Sequence, residues 1–115
     1  MKRYIIVVPA YILLAAAGPI FPTEEQQAKI GEPYYKCIKN AAERTDDGRT
    51  DFQIEIKSVA KVCKSEFTKM IAILSKDLSS KDRKAFEKSQ FGRDLDYAAT
   101  AVGRVRATKQ GNPVP

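Results

Sequence analysis

Histidine and tryptophan are both missing from these 115 residues. Without histidine there is no Ser–His or Cys–His nucleophile pair, and most zinc sites lose a principal ligand. The two cysteines, Cys37 and Cys63, are too far apart for a Cys-x-x-Cys redox motif. Glycine is sparse and never clusters into a phosphate-cradling loop: Gly92-Arg93 and Gly103-Arg104 each hold a single one. Paired carboxylates are lacking too, since Asp94 and Asp96 point to different sides of a helix and Glu55 and Glu66 do not stand at a facing interval. The one dense acidic cluster, Asp46, Asp47 and Asp51 around Gly48, has the wrong order for a calcium loop. The sequence nominates no catalytic group, no cofactor and no metal site, and the chain is read as a protein other than an enzyme.

What is present begins with "MKRYIIVVPAYILLAAAGPIFP". Lys2 and Arg3 precede an apolar run from Tyr4 to Ala17, and Ala15 and Ala17 stand at the small-residue positions of an export cleavage site. The run is broken by Pro9 and closed by Gly18-Pro19, short of the roughly 20 apolar residues that a membrane span requires. Residues 1–17 are therefore expected to be a signal peptide, cut after Ala17. No cysteine lies near the cut, which excludes a lipid-anchored lipoprotein, and the mature chain contains no transmembrane span. The expected destination is the periplasm or the extracellular space. The mature chain is long enough for one small domain, over residues 18–109, followed by an aperiodic tail, "QGNPVP", over 110–115.

The hydrophobic pattern of that domain is helical. Tyr34, Cys37, Ile38 and Ala41 share a face, and Pro33 can open a helix at its first position, which predicts a first helix over about 33–44. Thr23 and Gln26 form a capping box for a separate leading turn, cut off at Gly31 and Pro33. "RTDDGRTD" ends the first helix, with Gly48 suited to the left-handed conformation, and Thr50 with Gln53 supplies the next capping box. The second helix carries Phe52, Ile56, Val59, Cys63, Phe67, Met70, Leu74 and Leu78 on one stripe and should be long, about 25 residues or 37 Å at 1.5 Å per residue. Ser79 or Ser80 caps a third helix, with a kink expected near Gln90 to Arg93 at Gly92. Beyond it Phe91, Leu95, Ala98, Val102 and Val105 repeat as a seam of paired helices. The fold class is all-α: a helical hairpin with a third packed helix.

Each cysteine lies inside an apolar stripe on either side of the turn. In an antiparallel hairpin their heights differ by about 7 Å, which a climbing turn can absorb, so a bridge is feasible. Exported chains keep disulfides and small ones need them, which favours a Cys37–Cys63 bridge over two buried free thiols. Closing a loop of about 26 residues contributes roughly 3 to 4 kcal/mol on the chain-entropy model. Tyr35, Cys37, Ala41, Asp46, Asp47, Gly48 and Asp51, followed by Ala60, Cys63, Glu66 and Phe67, resemble the pattern of small exported helical-hairpin proteins of bacteria that have no assigned function. The resemblance covers residues 35–67, about a third of the chain. It implies a stapled hairpin in the cell envelope and no activity.

Charge supplies the functional hint. The whole chain has a formal charge of +6, and the excess lies late: residues 18–51 carry 5 basic and 7 acidic side chains, residues 52–115 carry 13 and 7. Lys57, Lys61 and Lys64 share a helical face, as do Lys81, Lys84 and Lys88, and Arg104 and Arg106 follow in a segment without acids. Such stripes are the ordinary solvent face of amphipathic helices. Read functionally, these eight cations are candidate contacts to an anionic lipid or polysaccharide surface, each worth up to about 1 kcal/mol. An exported protein rarely meets nucleic acid, so that partner is not expected. The expectation is a small binding module for an envelope macromolecule or anionic surface. The alternative is a self-associating structural or stress-response protein that pairs through the Phe91 to Val105 seam, so the chain is either a monomer or a homodimer.

Overall fold

The computed structural model describes residues 21–109. The expected signal peptide, residues 1–17, and the expected tail, residues 110–115, lie outside the described residues. Every regular element among the described residues is a helix: α1 (Glu24–Thr45), α2 (Phe52–Val62), α3 (Lys64–Leu74), α4 (Ser80–Ser89) and α5 (Arg93–Lys109).

α1 corrects the first expectation. The Thr23 capping box is present, with the Gln26 N–H donating to Thr23 Oγ1 at 3.2 Å and the Thr23 N–H to Gln26 Oε1 at 3.0 Å. The helix it starts does not stop at Gly31 or Pro33 but runs on to Thr45. A proline inside a helix forfeits one backbone hydrogen bond and costs about 3 kcal/mol. Here Gln27, Gly31, Tyr34, Ile38, Ala41 and Ala42 form one buried stripe that crosses Pro33 without a change of phase, while Pro33 itself faces solvent. Burial of that stripe outweighs the missing bond.

The turn after α1 behaves as its residues dictate, with one exchange of roles. Gly48 takes a φ of 72°, in the left-handed region. Asp47 accepts the Thr50 and Arg49 N–H groups at 2.8 and 2.9 Å and the Thr50 hydroxyl at 2.9 Å. With its hydroxyl engaged there, Thr50 does not cap α2. Asp51 does, accepting the Gln53 and Ile54 N–H groups at 3.1 and 3.2 Å.

The long second helix is two helices. α2 and α3 are separated at Cys63, whose backbone sits at φ −102°, ψ 15°. The bonding ladder nevertheless spans the break, with Cys63 N–H donating to Val59 O at 3.2 Å and Phe67 N–H to Cys63 O at 3.0 Å. The interruption coincides with the residue bonded to α1: Cys63 is fully buried and bridged to Cys37, with Cα atoms 5.9 Å apart. α3 ends at Leu74, four residues short of Leu78. The Ser75 hydroxyl bonds back to Ile71 O at 2.8 Å, and the Arg83 side chain donates to the Ser75 and Lys76 carbonyls at 3.4 and 3.1 Å.

The kink expected near Gln90 to Arg93 is present, with Gly92 at φ 83° between α4 and α5. The predicted seam is also cut short at its start. Ala98, Val102 and Val105 are buried, but Phe91 is 91% and Leu95 41% exposed. Phe91 precedes the left-handed glycine, so its helical phase does not carry into α5.

Long-range contacts fix the topology. Tyr34 Oη donates to Asp94 O at 3.4 Å, and 60 residues apart in the same direction Arg106 reaches Asp46, so α1 and α5 run parallel. Cys37–Cys63 and Glu55–Arg106 set α2 and α3 antiparallel to both. α4 makes the crossover, pinned by Phe86, which is fully buried and lies edge-on to Phe21 at 5.2 Å. The core of the three-stranded bundle comprises Tyr34, Val59, Cys63, Met70, Leu74, Ala98 and Val102. Tyr34 stacks against Phe67 at 5.1 Å and Tyr97 at 5.8 Å.

Candidate anion-binding groove

Because α1 and α5 lie side by side, their outward faces enclose a groove of about 1050 Å³. Its floor is apolar, formed by Tyr35 and Ile38 from α1 and by Tyr97, Ala101 and Val105 from α5. The Tyr35 and Tyr97 rings meet edge to face at 5.6 Å, and Tyr34 supports Tyr35 from below at 5.6 Å. Burial, then the neighbouring Tyr97, raises the Tyr35 hydroxyl above its ordinary range, so it stays protonated at neutral pH.

The rim is cationic on both sides. Lys29, Lys36 and Lys39 come from α1, and Arg93, Arg104 and Lys109 from α5, against two acids, Glu32 and Glu43. The Arg93 guanidinium lies over the Tyr97 ring, 5.5 Å from its centroid, and 3.8 Å from Asp96. Helical spacing puts the lysines in a row, and the parallel partner helix supplies the opposing row. Charges raised at the edge of a low-dielectric floor concentrate an attractive potential for anions.

At one end of the groove Lys109 joins an ion cluster built on two buried acids. Arg106 donates from Nε to Asp46 Oδ1 at 2.8 Å, from Nη2 to Glu55 Oε1 at 2.6 Å, and also to the Thr50 carbonyl. Its guanidinium lies 5.5 Å from the centroid of the Phe52 ring. Lys109 Nζ donates to the Asp46 carbonyl at 2.8 Å and lies 3.5 Å from Asp46 Oδ2. The two acids are buried and respond oppositely. Burial raises Asp46, but the hydrogen bonds from Arg106 and the Gly48 N–H, with the Lys109 charge beside them, outweigh it, and its carboxyl is held below the usual range. Burial and the adjacent Asp46 charge push Glu55 up. Asp46 Oδ2 and Glu55 Oε2 have no hydrogen-bond partner, although Lys109 Nζ lies 3.5 Å from Asp46 Oδ2. Asp47 is exposed and held down to about 2, first by the Thr50 N–H, then by the Arg49 N–H and the Thr50 hydroxyl.

The cations expected from sequence stand on four elements, α2 to α5. Lys57 and Lys61 on α2 and Lys64 on α3 are exposed, with Lys64 3.6 Å from Asp94. Lys81, Lys84 and Lys88 are exposed on α4. Of the eight, Arg104 lines the groove. Arg106 departs from the expectation of a surface contact: it is turned inward between Asp46 and Glu55. Lys29, Lys36, Lys39, Arg93 and the two tyrosines escaped the sequence reading. A signal existed in the spacing of Lys29, Lys36 and Lys39, but the groove depends on α5 lying parallel to α1, which periodicity does not report.

Among the described residues, no group of three or more metal-ligating side chains is placed to hold an ion, and no helix is long and apolar enough to cross a membrane. No protein-family model, curated protein or solved structure matches the chain.

Proposed function

We propose that the protein is an exported binding module of the bacterial cell envelope, and that the α1/α5 groove is its working surface for an anionic partner. The observation that carries this reading is the groove itself: six cations, of which Lys109 is held by Asp46 and Arg93 pairs with Asp96, against two lining acids over an apolar floor. The disulfide supports an oxidising compartment, and the Lys2-Arg3 start and apolar run of the first 17 residues support export. The resemblance of residues 35–67 to small exported hairpin proteins points to the same place. The lysine rows on α2 to α4 then serve as the solvated outer surface.

The test is competitive. Binding to a soluble polyanion, polyglutamate, is measured by calorimetry at low and physiological salt. Lys36→Glu with Lys39→Glu should weaken it at least tenfold, whereas glutamine at Lys81, Lys84 and Lys88 should change it less than threefold. Salt should weaken binding, because exposed charges are screened beyond about 8 Å at physiological ionic strength. If the α4 lysines carry the affinity and the groove pair does not, the working surface is elsewhere.

A second reading, self-association, draws on Phe91 at 91% and Leu95 at 41% exposure on neighbouring turns. A dimer in sedimentation that Phe91→Ser dissolves would favour it.

A further inference from the structure

Resting on the groove as the binding surface, we infer that its occupant is an acidic amphipathic helix of a partner protein. Three properties lead there. The first is length: along α1 the lining runs from Ala28 to Glu43 and along α5 from Arg93 to Lys109, about 22 to 24 Å at 1.5 Å per residue, or four helical turns. The second is the cross-section. A central apolar strip, with Tyr35, Ile38 and Tyr97 in its floor and the small Ala101 between the larger side chains, offers seats for side chains at i, i+3, i+4 and i+7, the anchors of helix-in-groove recognition.

The third is charge on both flanks. A helix with an apolar stripe bordered on each side by Glu or Asp meets Lys29, Lys36 and Lys39, which outnumber Glu32 and Glu43, on one side, and Arg104 with the Asp96-paired Arg93 on the other. Other anionic occupants fit less well. A polysaccharide presents hydroxyls along its whole length to a floor that is mainly apolar. A bilayer is met by protruding apolar side chains, and here the apolar strip is recessed below the charges. A second copy of this chain is basic and brings like charge to the rim.

The probe is a fluorescent synthetic peptide of about 18 residues, with leucine at the four anchor spacings and glutamate on both flanks. Its controls are a scrambled peptide of identical composition, polyglutamate, and phosphatidylglycerol vesicles. By anisotropy the amphipathic peptide should bind at least tenfold tighter than the scrambled one and gain helical circular dichroism on binding. Ala101→Lys separates floor from charge: it fills the gap while adding a cation, so it should cost the amphipathic peptide at least tenfold while polyglutamate binding holds or improves. Lys36→Glu with Lys39→Glu, both exposed, should weaken both ligands with the fold intact. Equal binding of scrambled and amphipathic peptides, or groove-dependent binding of the vesicles in preference to the peptide, overturns the helix while leaving an anion site. Absence of binding by every probe overturns the anion site as well.

Discussion

Arg106 donates to Asp46 and Glu55 and lies over Phe52, so truncating it leaves two buried carboxyl groups without their cation. Breaking a buried ion pair from one side costs about 3 to 5 kcal/mol. Arg106→Met is expected to lose about 3 kcal/mol in urea unfolding at neutral pH, the low end because Lys109 remains near Asp46. Glu55→Gln should behave differently. The amide still accepts from Arg106 and places no charge beside Asp46. Since Glu55 is raised in the folded state, its stabilising contribution is full below its unfolded value and fades as pH rises, so Glu55→Gln should gain on the native protein from acid toward neutral pH. Asp46 is lowered, and its contribution fades instead on acidification below its unfolded value. A gain that shrinks toward neutral pH would contradict the upward shift of Glu55. In the sequence these residues read as a helix stop and a surface cation, because partners 51 and 60 residues apart leave no periodic trace.

Helices were legible where side chains act locally and misread where packing intervened. The Thr23 box, the Asp46–Gly48 stop and the Gly92 break all rest on neighbours within three residues, and all are present. Locally Pro33 reads as a start, because it can donate no interior bond; the buried stripe through Gln27 and Tyr34 carries the helix across it. Cys63 fits helical spacing yet interrupts the helix, for its position answers to Cys37. Pro33→Ala tests the first override. Restoring the Pro33 N–H donor at an exposed site should raise stability by about 1 to 3 kcal/mol, seen as a higher thermal midpoint with unchanged helical content. A lower midpoint would mean that the ring makes contacts which outweigh the lost bond.

At the scale of the whole molecule the Cys37–Cys63 bridge holds α1 against the α2–α3 junction, with 26 residues between the cysteines. Replacing both by serine should cost about 2 to 5 kcal/mol, measured by chemical denaturation against the oxidised parent; a loss below 1 kcal/mol would show that core packing alone sets the register. The bundle was legible from the apolar stripes, but the groove was not, since it belongs to two helices brought together rather than to either one. That origin has a consequence in time. The walls are the first and last helices among the described residues, α1 and α5, so no partial chain possesses both. Pairings this distant in sequence form late in folding. An emerging or unfolded chain therefore carries the lysines and the tyrosines without the place they make, and the proposed recognition of a partner begins only when α5 has docked.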